Sequence, residues 1–450
     1  MNTARLRSLV LYGILIGFLI GIIFFIACFF LQGGTWAMRP SNGHLQGQSQ
    51  LSKAGTITDR RGNIIAQSID GERVYSDDYT TRCALVHVLG DTNGYISTGV
   101  QSSSLSKLTG FNPVLGVAKV ESGGTDIQMT IDGPLSAQAL QLLGDRNGAV
   151  AIYNYKTGEV LCFVSTPGFD PSDVPDDITT NPYYEGAFLN KCLSGAMTPG
   201  STFKVVTAAC AIDNMKDWET RTFHCDGEVV INGNRIVCDS HTAHGDQTLG
   251  QALGNSCNVA FAEIASELGS AKMTATAEAM GFNRSFQIDD NHTLASNYHV
   301  SGSASEDEVA WSGIGQYTDT ANPAHMMLLM GAIANEGVPV MPHTISSGKI
   351  ASGVTGDRML SAFTANTLKD MMRNTVANYY GDDMFYGLEV CAKTGTAEVK
   401  GKNDTGWMVG FSQREDTPLA FAVVVEEGGY GSQSAGPIAS ALMASAAELV

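Results

Sequence analysis

The amino-acid sequence predicts an α/β (α+β) protein behind a single membrane anchor, and three observations carry that reading. An uncharged apolar run extends from Leu9 to Leu31, long enough to cross a hydrocarbon core of ~30 Å as a helix. Strand-like alternation gathers near both ends of the remaining body, and helical periodicity fills the middle. The 450 residues exceed what one core usually organises, so we expect an anchor over 1–38, a linker and small pedestal domain over 39–125, and a large domain over 126–450.

The anchor is read from its flanks as well as its length. Arg5 and Arg7 precede the run and no charge follows until Arg39, so the positive-inside bias puts the N-terminus in the cytoplasm and the body outside. A cleaved signal peptide fits less well, because the run is longer than a usual signal core and no small-x-small site follows it. Apolar residues make up 44% of the chain and charged residues 16%, which argues for a packed core over disorder. Asp and Glu number 45 against 27 Lys and Arg, a formal charge of −18, so nucleic acid is excluded as the main partner.

Residues 32–54 are rich in Gly, Ser, Gln and Asn and read as a linker. GTITDRRGNIIAQS then forms two short strand-like runs around the Asp59-Arg60-Arg61-Gly62 turn, and the stretch to Gly124 gives little periodicity. From Asp126 the pattern sharpens. DIQMTID alternates, PLSAQALQLL is helical, and GAVAIYNYKTGEVLCFVST makes two strands about a Lys156-Thr157-Gly158 turn. Apolar helices are expected at Phe203–Ile212, Val259–Leu268 and Ala324–Asn335, strands at Leu388–Ala392, Gly406–Phe411 and Leu419–Glu426, and a last helix at Gly436–Leu449. One sheet closed by the two ends of the domain follows from that order.

Nine cysteines are scattered and odd in number, and a chain this long needs no staples. Cys225 and Cys238 stand apart, because they flank DGEVVINGNRIV, whose Asn232-Gly233 is a hairpin-turn signal. That turn puts Cys238 opposite Gly227, which leaves the two cysteines diagonal and a disulfide between them open. With His241 and His244 they also make a loose zinc-like spacing, but the carbonyl-activating HExxH pattern is absent. No metal and no cofactor are expected.

Three short motifs carry the chemistry. In TPGSTFKVVTAA, Ser201 opens a helix and Lys204 lies three residues on, on the same face, where the helix dipole favours a developing alkoxide. About two such Ser-x-x-Lys matches arise by chance in a chain of this length, and Ser104/Lys107 and Ser346/Lys349 are read as accidental. GNSCNVAF supplies Ser256 and Asn258, a hydroxyl to relay a proton and an amide to hold a peptide carbonyl, though taken alone the segment is better explained as an Asn-Ser loop capping the helix that starts near Val259. CAKTGTAEV places Lys393, Thr394, Gly395 and Thr396 at the end of a strand, a cation and two hydroxyls suited to a carboxylate. The second Lys-Thr-Gly, at 156–158, sits in a hairpin turn that accounts for its glycine. Singly each motif is weak, but in this order they form the signature set of penicillin-binding proteins and class A β-lactamases.

With those motifs, and with TDRRGNIIA, DIQMTID, GAVAIYNYKTGEVLCFVSTPGFDP and DTGWMVGF, the chain resembles the class B penicillin-binding proteins over nearly its whole length. The resemblance implies a penicillin-binding transpeptidase or serine β-lactamase-like fold, a five-stranded sheet and a helical subdomain with the active site between them. It implies a D,D-transpeptidase acting on peptidoglycan stem peptides that end in D-Ala-D-Ala, acylated by β-lactam antibiotics. Ser201 would be the nucleophile and Lys204 its base; Ser256 would relay the proton and Asn258 hold the substrate. Lys393, Thr394, Gly395 and Thr396 would grip the terminal carboxylate, with the N–H groups of Ser201 and Thr396 as the oxyanion hole. Residues 39–125 leave no room for a glycosyltransferase domain, so the resemblance implies a SEDS-type polymerase as membrane partner. The chain departs from the family at GIGQYTDTANPAHMM, where a Gly usually follows the Gln and a Thr-Pro-Leu comes later, and its pedestal is short. A β-lactamase with the same acylation machinery, and a non-catalytic scaffold or β-lactam sensor, are the competing readings.

Overall fold

The computed structural model describes residues 3–37, 48–112, 117–118, 124–346 and 353–450; Lys349, of the second accidental motif, lies outside them. Helix α1 (Thr3–Ala37) contains the expected apolar run, and its Arg5–Leu31 stretch is long and apolar enough to cross a membrane and is not buried by the rest of the chain. A helix of 27 residues measures ~40 Å, more than a hydrocarbon core requires.

The pedestal is a small sheet of β1 (Ile57–Thr58), β2 (Ile64–Ile69) and β3 (Glu72–Tyr75), followed by helix α2 (Tyr79–Leu89). Strand β4 (Ile127–Gln128) joins that sheet by pairing parallel with β1, so segments on either side of residue 126 share one sheet. The Asp59-Arg60-Arg61-Gly62 turn is tied together by one carboxylate. Asp59 Oδ1 accepts from the backbone of Arg61 at 2.9 Å and Asn63 at 2.8 Å, which fixes the turn without relying on its exposed side chains.

Helix α3 (Gly133–Leu143) starts where it does because Asp132 caps the N–H of Leu135 at 2.9 Å and Pro134 needs no partner for its missing N–H. Strands β5 (Gly148–Asn154) and β6 (Val160–Thr166) follow, joined by the turn in which Gly158 takes φ +84°. The accidental Lys156 there turns to Asn335 Oδ1 at 2.8 Å. Helix α4 (Lys204–Asn214) leads to the small strands β7 (Phe223–Cys225), β8 (Glu228–Ile231), β9 (Asn234–Val237) and β10 (Gly245–Gln247). Residues Asn232 and Gly233, at φ +49° and +82°, turn β8 into β9, and Cys238 donates to Gly227 O at 2.8 Å, the register expected of that turn. Helices α5 (Asn258–Ala279), α6 (Pro323–Ala334) and α7 (Ala362–Thr375) precede β11 (Val390–Ala397), β12 (Thr405–Ser412) and β13 (Leu419–Val425), and α8 (Ala435–Ala447) ends the domain.

The five long strands form one antiparallel sheet in the order β11-β12-β13-β5-β6, so the first and last strands of the domain do meet. Alternation assigns the two faces. Val150, Ile152, Phe421 and Val423 pack with Leu135, Ile438 and Leu442 of α3 and α8. Ala149, Ala151, Ala420 and Ala422 face the other way, into the core that contains α6. Small residues on that face let α6, apolar all round and buried, approach closely. A Cβ at Gly331 of α6 would lie 1.8 Å from Tyr153 Oη, so a side chain there would have to displace the buried Tyr153 ring. Each fully buried Leu, Ile or Phe contributes about 1.5–3 kcal/mol.

Candidate active site

The cleft lies between edge strand β11 and the helical layer, with a volume of about 480 Å³, and Ser201, Asn258, Thr394, Thr396 and Gln316 are among its lining residues. Ser201 sits in a tight helical turn, Gly200–Phe203, that runs into α4. Two contacts make that turn. Gly200 donates to Gly315 O at 3.0 Å, and its φ of +54° brings it so close to β11 that a Cβ would lie 2.6 Å from Thr396 O. Only glycine satisfies both demands, which gives the Pro199-Gly200 pair ahead of the serine a physical reason.

Lys204 is fully buried one turn on. Its Nζ lies 3.0 Å from Ser201 Oγ, 2.6 Å from Ser256 O, 2.6 Å from Asn258 Oδ1 and 3.3 Å from Ser256 Oγ. The Asn258 amide cannot be turned round, because its Nδ2 donates to Val237 O at 2.7 Å, and a carbonyl only accepts. Two acceptor-only oxygens therefore take two N–H groups of Lys204. In the neutral amine this leaves one lone pair, directed at the Ser201 hydroxyl. Burial holds Lys204 well below the usual lysine range, and the positive charge of Lys393 pushes the same way.

Lys393 is also fully buried, on the face of β11 turned to the cleft, and burial lowers it to about 7. It donates to Ser256 Oγ at 2.9 Å and to Thr394 O at 2.9 Å. Ser256 thus bridges the two lysines. Its φ of +53° is a left-handed conformation for a residue with a Cβ, a strain of order 1–3 kcal/mol that points the hydroxyl inward. Cys257 caps α5 through Sγ, which accepts from the N–H of Ala260 at 3.4 Å. The capping function read from the sequence and the active-site function are thus held by adjacent residues of one loop.

The Lys-Thr-Gly motif lies inside β11 rather than past its end. Thr394 N donates to Tyr380 Oη at 3.0 Å, and the two hydroxyls are 2.9 Å apart. Thr394 N–H therefore faces away from β12, and by strand alternation so does the N–H of Thr396. Gly395 packs against the serine turn, where a Cβ would lie 2.7 Å from Pro199 O. The structure brings together every motif residue singled out in the sequence: Ser201, Lys204, Ser256, Asn258, Lys393, Thr394, Gly395 and Thr396.

Sequence reasoning missed Tyr380, in a helical turn between α7 and β11, and Trp407, which braces the serine loop by donating to Thr198 O at 3.0 Å. The DTGWMVGF segment was noticed, but nothing in it says where the indole points. Of the accidental Ser104/Lys107 pair, Ser104 sits between two short helical turns and Lys107 lies in the second, facing Asp290 at 3.7 Å. The histidines part company: His241 faces Glu228 at 3.5 Å, whereas His244 lies 3.4 Å from Cys225 Sγ.

The family described as Penicillin binding protein transpeptidase domain matches residues 148–444. The chain is 27% identical over 440 residues to the peptidoglycan D,D-transpeptidase PbpA of Mycolicibacterium smegmatis, covering 86% of this chain and 87% of that one. It is 26% identical over 344 residues to stage V sporulation protein D of Bacillus subtilis, covering 71% of this chain and 52% of that longer relative, so it spans about half of its length. Penicillin-binding protein A from M. tuberculosis, solved as a ceftriaxone acyl-enzyme complex, superposes with a TM-score of 0.78 at 22% identity, covering 89% of this chain and 100% of that one. That likeness speaks to the fold. A match that runs over most of the chain and contains all three motifs makes the chain a member of the penicillin-binding protein transpeptidase family.

Proposed function

We propose that the chain is a membrane-anchored peptidoglycan D,D-transpeptidase that works through an acyl-enzyme on Ser201. The observation that carries the reading is the Lys204 amine, held by Ser256 O and Asn258 Oδ1 at 2.6 Å each with its Nζ 3.0 Å from Ser201 Oγ. Lys204 takes the hydroxyl proton as Ser201 attacks the carbonyl of the penultimate D-Ala of a stem peptide. The N–H groups of Ser201 and Thr396 stabilise the oxyanion, each such donor being worth about a hundredfold to a thousandfold in rate. The C–N bond then breaks, and the proton passes from Lys204 through Ser256 to the departing D-Ala amine. Lys393, with Thr394, Gly395 and Thr396, holds the terminal carboxylate, and Asn258 lies beside the substrate backbone. An amine from a neighbouring stem peptide takes the acyl group and frees Ser201.

A β-lactam presents the same acyl carbon and carboxylate, so it acylates Ser201 with ring opening and no leaving group departs. Residues 1–38 serve as cytoplasmic tip and anchor, 39–125 as linker and pedestal, and 126–450 as the transpeptidase domain on the outer side of the cell membrane. A SEDS-type glycosyltransferase supplies the glycan strands. The test is intact-mass analysis of the detergent-solubilised full chain with a penicillin, followed over hours, beside Ser201→Ala. One stable adduct, absent from the variant, supports the reading; a transient adduct with continued hydrolysis would make the protein a β-lactamase, and no adduct would point to a scaffold.

A further inference from the structure

Behind the Ser256–Asn258 loop four soft donor atoms converge from four separate places in the chain. Cys225 ends β7, Cys238 follows β9, His244 precedes β10, and Cys257 caps α5. The three thiols are buried, and the four ligand atoms all lie within 4.8 Å of one another. Cys225 and Cys238 Sγ are 3.7 Å apart, Cys238 and Cys257 Sγ 3.8 Å, and Cys225 Sγ and His244 Nδ1 3.4 Å.

We infer that Cys225, Cys238, His244 and Cys257 form a tetrahedral zinc site that braces the loop bearing Ser256 and Asn258. The spacing is the main support. With zinc–sulfur bonds of about 2.3 Å, the edges of a tetrahedron are about 3.8 Å, and an edge to a nitrogen ligand is somewhat shorter. Both thiol pairs and the thiol–imidazole pair match those edges. A disulfide needs sulfurs at about 2.05 Å and uses two of the three thiols, whereas a metal uses all three and the imidazole.

The surroundings suit thiolates. The N–H of Gly227 points at Cys225 Sγ at 3.4 Å and that of Ala260 at Cys257 Sγ at 3.4 Å, the backbone donors that commonly support metal-bound sulfur. Three thiolates and one imidazole select zinc over calcium or magnesium, which take oxygen ligands. Four protein ligands fill the tetrahedron and leave no position for water, so the site is structural. The sequence grouped Cys225 and Cys238 with both nearby histidines and expected no metal. It lacked the fourth ligand, because Cys257 belongs to the Ser256-Cys257-Asn258 motif, read only for its outer residues.

Position gives the site its consequence. Cys257 separates Ser256, whose carbonyl holds Lys204, from Asn258, whose Oδ1 does the same. Cys238 follows Val237, whose carbonyl orients the Asn258 amide. Two of the four ligands are therefore one peptide bond from the atoms that aim the lysine. Losing the metal frees the loop and lets the left-handed Ser256 relax. The metal site stands on its own; its effect on acylation rests on the function proposed above.

The experiment uses the full chain, purified in detergent without chelator and with thiols kept reduced. Native mass spectrometry and elemental analysis should find about one zinc per chain. Replacement with cobalt(II) should give the intense thiolate-to-cobalt absorption of a tetrahedral site, and Cys225→Ser and His244→Ala should weaken or abolish it. Stripping the zinc should lower the melting temperature and slow penicillin acylation at least severalfold, with recovery on adding zinc. A reduced wild-type chain that holds no zinc and gives no cobalt spectrum would overturn the site, whether or not the variants fold. The same chain purified without reductant and found two hydrogens lighter, with a bridge mapped among these cysteines and no metal, would replace it with a disulfide. Zinc that binds and leaves acylation unchanged when removed would overturn the brace alone, and a zinc-loaded chain that never acylates would count against the proposed function and not against the site.

Discussion

At the scale of single residues the site is a problem of two buried amines sharing one hydroxyl. Lys204 is held well below the usual lysine range, by burial and then by the nearby Lys393 charge; Lys393 is lowered by burial to about 7. The signs oppose each other. The base needs Lys204 without its proton, a fraction that grows as pH rises through its lowered pKa; the carboxylate grip needs Lys393 with its proton, a fraction that falls as pH rises through about 7. The second-order rate of penicillin acylation should therefore show an alkaline limb near pH 7 owed to Lys393 and an acid limb owed to Lys204. Stopped-flow acylation across pH 5–9 reads it, and in Lys393→Arg, whose cation does not titrate in that range, the alkaline limb should vanish. A limb that stays in the variant would assign it elsewhere. These residue types were legible from the sequence, since Ser201, Lys204 and Lys393 announce themselves by motif and order. Their protonation states were not, because those depend on burial and on a 2.9 Å contact between residues 137 positions apart.

Elements decide whether those side chains meet. Helix α4 and strand β11 approach closely because glycines stand at both sides of the contact, Gly200 near Thr396 O and Gly395 near Pro199 O. Gly200→Ala adds a methyl 2.6 Å from that carbonyl at a φ of +54°, so the serine turn must shift away from the strand. A displacement near 1 Å can cost about a hundredfold in rate. The variant should fold, with circular dichroism close to that of the parent, yet acylate at least tenfold more slowly. Parent-like acylation would mean that the turn absorbs the methyl and that the glycine serves something else. The sheet was legible from the strand-like apolar runs GAVAIYNY and LAFAVVV, and the hairpin at Asn232-Gly233 from its turn residues. Where β11 ends was not, since the expected strand stopped at Ala392 and the observed one runs to Ala397 through the motif itself. Thr and Gly weaken a strand signal, and what keeps them extended is pairing with β12 and the cap of Tyr380 on Thr394, both tertiary effects.

On the scale of the whole molecule, the pedestal and the catalytic domain meet at a short turn as well as through α2, whose Arg82 pairs with Asp170 at 2.6 Å. Asp59 holds the DRRG turn from within, accepting from Asn63 Nδ2 at 2.9 Å and facing the N–H of Gly133 at 3.4 Å. Arg61 reaches across to Asp132 at 2.6 and 3.1 Å, and the same Asp132 caps α3, which packs beneath the sheet. Arg60 adds a backbone bond to Ile131 O at 3.0 Å. The sequence showed this turn as a polar interruption between two strands; that its carboxylate faces inward, 1% exposed, follows only from the partners it meets. Asp59→Ala leaves the N–H groups of Arg61 and Asn63 without their acceptor, about 1–3 kcal/mol for each that stays buried, and loosens the Arg61–Asp132 pair that the turn presents. Calorimetry of the full chain should show the thermal transition lowered by several degrees or split in two, as the pedestal releases first. The catalytic residues touch none of these groups, so the folded fraction at 25 °C should acylate at the parental rate. A rate that falls with the transition temperature would mean that the pedestal turn transmits its geometry to Ser201 through α3 and the sheet, and would make the pedestal part of the catalytic unit rather than its support.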